Sequence, residues 1–144
     1  MKVGITGSRN GWSIAQEVTF RDVIQNYQID EFHHGDCVGV DEQAVGVVRE
    51  DCGEVIHTHP PLNGSKRAHV GGRLYLPKEY IERNHDIVDA VDMLFVIPAT
   101  NQEVTRSGTW ATFRYAMKEL QNGDSLISRV TVIFPDGRVE DHHP

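Results

Sequence analysis

Apolar residues along this chain fall into two alternating patterns. Short runs rich in β-branched and aromatic residues at Val3 to Thr6, Glu31 to His34, Val55 to His57, Met93 to Ile97 and Val130 to Phe134 predict five strands. Stripes with helical spacing lie between them: Phe20, Val23, Ile24 and Tyr27; Val40, Ala44, Val47 and Val48; Ile81, Val88 and Val91; Phe113, Ala116, Met117 and Leu120. Regular alternation of strand and helix needs right-handed crossovers. The expected fold is therefore α/β, a single Rossmann-like domain with a mainly parallel sheet of about five strands and helices on both faces. The unbroken run Met93 to Ile97 reads as a strand buried on both sides. Ser13 and Gln16 have the spacing of a capping box and predict the start of the first helix.

One long segment, His59 to Lys78, follows neither pattern and carries Pro60-Pro61, Asn63-Gly64 and Gly71-Gly72. A loop of this length suits a lid or a binding loop. Pro135-Asp136-Gly137 reads as a turn, so residues 1–134 are expected to form the domain and 135–144 a peripheral C-terminal tail.

A chain of 144 residues with 39% apolar and 24% charged content fits one compact domain. No apolar stretch approaches the roughly 18 residues of a membrane span, and Lys2-Val3-Gly4-Ile5 does not open a signal peptide, so a cytoplasmic protein without a membrane partner is expected. Cys37 and Cys52 have no C-x-x-C spacing, which gives neither a disulfide framework nor a zinc knuckle. The formal charge of −7 argues against bulk binding of nucleic acid, which depends on neutralising many phosphates. The charge is uneven. Acidic residues dominate 30–54, whereas 66–83 carries Lys66, Arg67, Arg73, Lys78 and Arg83 against Glu79 and Glu82, as either a solvated loop or a ligand contact.

The candidate chemistry lies where strands end. The run from Ile97 through Arg106-Ser107-Gly108-Thr109-Trp110 reads as strand, loop and helix start. Free N–H groups of a first helical turn and the helix dipole favour an anion there; Gly108 would let a phosphate approach the backbone and Arg106 would add charge. Gly7-Ser8-Arg9 follows the first strand, His34-Gly35-Asp36-Cys37 with Gly39 and Asp41 the second, and the long loop the third. Open α/β sheets bind ligands at such strand ends, so the four turns together predict a nucleotide-sized cleft. The first turn lacks Gly-x-Gly-x-x-Gly spacing and no Gly-x-x-x-x-Gly-Lys-Ser/Thr occurs, which argues against a dehydrogenase and a P-loop kinase. Asn84 falls on the stripe of Ile81, Val88 and Val91, where an unpartnered amide costs about 1–3 kcal/mol. It is expected either to hold a ligand or to brace a loop.

Eight histidines invite a metal reading, and His57 and His59 project from one face of a strand. A pair without a third ligand at local spacing does not make a site, so neither metal nor cofactor is expected. Cys37 stands at a helix start, either with a lowered thiol pKa or simply as a small buried side chain.

Taken in order, Gly7-Ser8-Arg9, His34-Gly35-Asp36 with Gly39-x-Asp41-x-x-Ala44, Arg83-Asn84, and Arg106-Ser107-Gly108-Thr109-Trp110 with Tyr115-Ala116 resemble the YspA-like branch of the SLOG superfamily. That superfamily also includes the DNA-processing protein DprA and the LOG cytokinin-activating hydrolases, and the resemblance spans about residues 3 to 120. It implies a Rossmann-like domain over 1–134 that binds a nucleotide or nucleotide-derived molecule, with the last glycine-rich turn on phosphate. The ligand-binding residues implied are Gly7, Ser8, Arg9, Gly35, Arg83, Asn84, Arg106, Ser107, Gly108 and Thr109. LOG-type hydrolases place a catalytic glutamate three residues after the threonine of Gly-Thr, and here that position is Thr112. Cleavage of an N-glycosidic bond in a nucleoside phosphate would then need Asp36, Asp41 or Asp86 to activate water or to stabilise a ribosyl cation. Two alternatives stand beside this reading: a non-catalytic sensor or sequestering module for a nucleotide signal, and a DprA-like single-stranded DNA binder, which the net charge disfavours. The expected partner is a nucleotide-derived small molecule, and a homo-oligomer is compatible with it.

Overall fold

A computed structural model describes residues 1–144. Strand β1 (Lys2–Gly7), helix α1 (Ile14–Ile24), β2 (Glu31–His34), α2 (Val40–Cys52) and β3 (Ile56–Thr58) follow in strict alternation. A connection containing a 3₁₀ turn at Gly64–Lys66 leads to the short strand β4 (Arg73–Leu74). Helix α3 (Tyr80–Ala90) crosses back to β5 (Met93–Ile97), and α4 (Gly108–Asn122), β6 (Arg129–Ile133) and β7 (Val139–His142) complete the chain. All seven strands join one sheet in the order β4-β3-β2-β1-β5-β6-β7. Only β7 is antiparallel, paired to β6. The fold is α/β and Rossmann-like, with the sheet between α1 and α2 on one face and α3 and α4 on the other.

Strand β5 illustrates why the sheet is covered twice. All five of its residues are buried: Met93, Phe95 and Ile97 join the core under α1 and α2, while Leu94 and Val96 join the core under α3 and α4. Helix α1 begins at the expected capping box, in which the Ser13 hydroxyl accepts from the Gln16 N–H and the Gln16 side chain accepts from the Ser13 N–H. The Gln16 amide also donates to the carbonyls of Pro98 and Ile133, tying α1 to the ends of β5 and β6. On the other face, the His85 and Tyr115 rings stack 3.7 Å apart and join α3 to α4.

Two strands exceed the five expected, and both lie at sheet edges. β4 is two exposed residues, and β7 reads Val139-Glu140-Asp141-His142, so neither carries the apolar alternation that marks a covered strand. Residues 135–144, expected as a peripheral tail, therefore continue the sheet: Phe134 N–H donates to the Arg138 carbonyl to close a hairpin, and the Thr131 hydroxyl donates to Asp141. The α3 stripe also differs from expectation, since Ile81 is 72% exposed while Arg83, Ile87 and Val88 are buried. Ile81 shares the spacing of Val88 but lies two turns nearer the helix start, where Arg83 and not Ile81 is the buried residue. No helix is long and apolar enough to cross a membrane.

Candidate functional site

Strand β1 lies between β2 and β5, and the chain leaves the two sides of β1 in opposite directions. Such a reversal opens a crevice at the C-terminal strand ends because the flanking connections diverge to opposite faces. A cleft of about 470 Å³ lies there, within the roughly 300–1,000 Å³ common for small-molecule sites. Gly7, Ser8 and Arg9 line it from the end of β1, and Gly35, Cys37 and Asp41 from the turn after β2. Helix α3 adds Tyr80, Arg83, Asn84 and Ile87, and the start of α4 adds Arg106, Ser107, Gly108 and Thr109. The ten residues proposed from sequence as ligand contacts thus border one cavity.

The α4 wall is shaped by its cap. Ser107 is the N-cap: its hydroxyl accepts from the Trp110 N–H and its carbonyl from the Ala111 N–H. The N–H groups of Gly108 and Thr109 lack intrahelical acceptors, as first-turn donors do. A side chain at Gly108 would meet nothing within 4 Å, so the backbone there faces open space. The preceding loop is anchored to α4, because Trp110 Nε1 donates to the Thr100 hydroxyl at 3.0 Å and Arg114 pairs with Glu103 at 2.7 Å. Arg106, at the end of this loop, is exposed.

Across the cleft, Arg83 is 4% exposed and its charge is engaged within the protein. Its guanidinium donates to the Gly35 carbonyl, to the His59 carbonyl at 3.1 Å and to Asn84 Oδ1 at 2.7 Å. Asn84 thus braces Arg83 through its amide oxygen while still bordering the cleft. A Cβ at Gly35 would lie 2.6 Å from Arg83 Nη1 and 3.1 Å from Asp41 Oδ2, so this position requires glycine. The Arg9 guanidinium lies 4.8 Å from the Tyr80 ring centroid, a cation–π contact that holds it over the cleft. Sequence reading missed Tyr80 and Ile87. Helical spacing offered the signal, since Tyr80 lies three residues before Arg83 and Ile87 four after it.

The three aspartates proposed for catalysis separate. Asp41 alone lines the cleft; its Oδ2 accepts from the Gly35 N–H at 3.0 Å and the Cys37 N–H at 3.3 Å, and burial raises its pKa to about 6 against the opposing pull of Arg83. Asp36 is fully buried and turned away from the cleft, accepting from Arg67 Nε at 2.6 Å and the Val70 N–H at 3.1 Å. Asp86 pairs with Lys78 at 2.6 Å outside the cleft lining. The structure thus does not bring Asp36 or Asp86 to the cleft, and their carboxylates are occupied by cations of the long loop.

Three further expectations change. Burial, with Asp41 nearby, raises the Cys37 thiol pKa, so the reading of an activated thiol gives way to that of a small buried side chain. Gly7 reads from sequence as a ligand-approach glycine, yet a Cβ there would lie 2.6 Å from the Val40 Cβ and 3.0 Å from the Ile97 carbonyl; packing against α2 demands it. The loop 59–78 contributes nothing to the cleft lining, because β3 lies two strands from β1. It is strapped down instead, with Ala68 N–H donating to the Asp36 carbonyl and the Thr58 hydroxyl donating to the Gly71 carbonyl. Arg67 pairs with Asp36 and Lys78 with Asp86 and Glu82, and within the basic stretch Arg83 is the residue that reaches the cleft.

His34 belongs to this strap. Its Nδ1 accepts from the Asp36 N–H, so the proton sits on Nε2 and is donated to the Thr58 hydroxyl at 2.8 Å. Burial holds its pKa at about 3 and the ring stays neutral. No family model, curated protein or solved structure matches the chain.

Proposed function

We propose that the cleft binds a nucleotide-derived ligand through its phosphate, in the manner that the resemblance to SLOG proteins implies. One observation carries this reading: the open first turn of α4 at Gly108 and Thr109 shares a crevice with the exposed arginines Arg9 and Arg106, and Asp41 is the one acidic side chain lining it. Helix N–H groups, dipole and two cations combine to favour a multiply charged anion over a neutral ligand. Ile5, Tyr80, Ile87 and Ala99 supply apolar surface for the rest of the molecule.

Calorimetry with AMP, CMP, GMP and UMP and with the matching nucleosides tests the assignment. The monophosphate is expected to bind more tightly than its nucleoside, and Arg106→Ala to weaken it roughly tenfold or more, as loss of a charge-assisted bond of about 1.5–3 kcal/mol requires. Equal affinity for the two, or an Arg106→Ala variant that binds like the parent, would overturn it.

Binding without cleavage is favoured by Thr112, which is buried and donates its hydroxyl to the Gly108 carbonyl at 2.9 Å. It supplies no carboxylate to the cleft. Hydrolysis stands as a second reading because Asp41, with a pKa of about 6, is suited to acid–base work near neutral pH. Chromatography of long incubations with the same monophosphates distinguishes them. The sensor reading expects no free base; release of base and ribose 5-phosphate that disappears in Asp41→Asn would establish the hydrolase instead.

A further inference from the structure

The parallel register sets His33 beside His57, and Glu31 lies two residues before His33 on the same face of β2. Together with His59 and Tyr75 they form a cluster of stacked rings, separate from the cleft lining. We propose that Glu31, His33 and His57 bind a divalent transition-metal cation of the zinc type. Glu31 Oε1 lies 2.8 Å from His33 Nε2 and 4.0 Å from His57 Nδ1, and the three residues each offer a ligand atom within 4.8 Å of the other two. Ligands about 2.0–2.2 Å from a tetrahedral zinc ion stand roughly 3.4 Å apart, so these separations bracket the required spacing. Side chains 31% and 14% exposed at Glu31 and His57 leave room for the small adjustment and for entry of the ion.

The surroundings fit a metal better than a purely structural cluster. His34, next in the chain, satisfies its ring with a backbone N–H and a threonine, whereas His33, His57 and His59 direct nitrogens at one another, at Glu31 and at Tyr75. His33 Nδ1 lies 2.7 Å from His59 Nε2, so with a cation on Nε2 the single ring proton of His33 moves to Nδ1 and is donated to His59. His59 would thereby accept the second ring N–H of His33, the role that a carboxylate, backbone carbonyl or water fills beside most metal-bound imidazoles. The Tyr75 hydroxyl, 2.8 Å from His57 Nδ1, would give up its hydrogen bond to that nitrogen when the cation takes the lone pair, which leaves its oxygen close to the ion. Two imidazoles and one carboxylate suit zinc, cobalt or iron(II) in preference to calcium or magnesium. The cation would clamp β2 to β3 and, through Tyr75, to the segment after β4.

The test is titration of the chelator-treated protein with Co²⁺, followed by visible absorption, and with Zn²⁺ by calorimetry and thermal melting. One equivalent is expected to bind, to give the absorption of a low-coordinate cobalt centre and to raise the melting temperature. Glu31→Gln and His57→Asn should each weaken binding at least tenfold, while a His142→Asn, His143→Asn double variant should bind as the parent does. In the unsubstituted protein, imidazole ¹⁵N resonances of His33 and His57 should shift on Zn²⁺ addition, a readout that needs no variant to fold. Absence of saturable binding, or binding that survives Glu31→Gln and is lost in the His142, His143 variant, would overturn the site.

Discussion

Replacing Asp41 by Asn probes the cleft through the pH dependence of stability. Asp41 is buried, and desolvation outweighs both the Arg83 charge and the two backbone N–H bonds, so its pKa of about 6 in the fold exceeds the 3.8 of an unperturbed aspartate. Between those values the folded protein holds a proton that the unfolded chain has released. Stability therefore falls as pH rises from about 4 to 6 and levels off above, the sign that applies to a carboxyl with a raised folded pKa. The difference of roughly two pKa units corresponds to a cost on the order of 3 kcal/mol at neutral pH. Asparagine keeps an oxygen for the Gly35 and Cys37 N–H groups and carries no charge. Urea unfolding of parent and Asp41→Asn at intervals from pH 4 to pH 8 isolates this group, because the other titrating groups cancel in the difference. The variant should gain about 3 kcal/mol relative to the parent across that range. A flat difference, or a variant that loses ground as pH rises, would refute the reasoning and mean that Arg83 holds Asp41 as a stabilised anion.

Other substitutions test the structural corrections. Gly7→Ala should destabilise by about 1–3 kcal/mol through overpacking against Val40, and Val40→Ala in the same chain should recover part of the loss in melting experiments. Asp36→Asn leaves Arg67 without its buried partner and should cost about 3 kcal/mol, with limited proteolysis appearing first between residues 62 and 78; an unchanged digestion pattern would reject its role as the anchor of that loop. Thr58→Val removes the hydroxyl joining His34 to the Gly71 carbonyl and should cost about 1–3 kcal/mol in urea unfolding.

The sequence by itself determined the covered strands and the helices between them. A strand packed on both faces, such as β5, must be continuously apolar, and a helix on a sheet must carry a stripe, so burial writes both patterns directly into the chain. The capping box at Ser13 was legible for a similar reason, since its hydrogen bonds span three residues. The cleft residues clustered at strand ends because βα alternation brings every such turn to one edge. Edge strands left no such mark: β4 and β7 are mostly exposed, and their pairing is set by backbone bonds that carry no apolar alternation. What each polar residue faces was likewise decided in three dimensions. Asp36, Asp41 and Asp86 are alike in sequence, but only packing assigns the first to Arg67, the second to the cleft and the third to Lys78. The pairing of His33 with His57 depends on a register between strands more than 20 residues apart in sequence, which local spacing cannot encode. Periodicity reports which face of an element is buried, and the partner of a buried polar group is settled only when the elements come together.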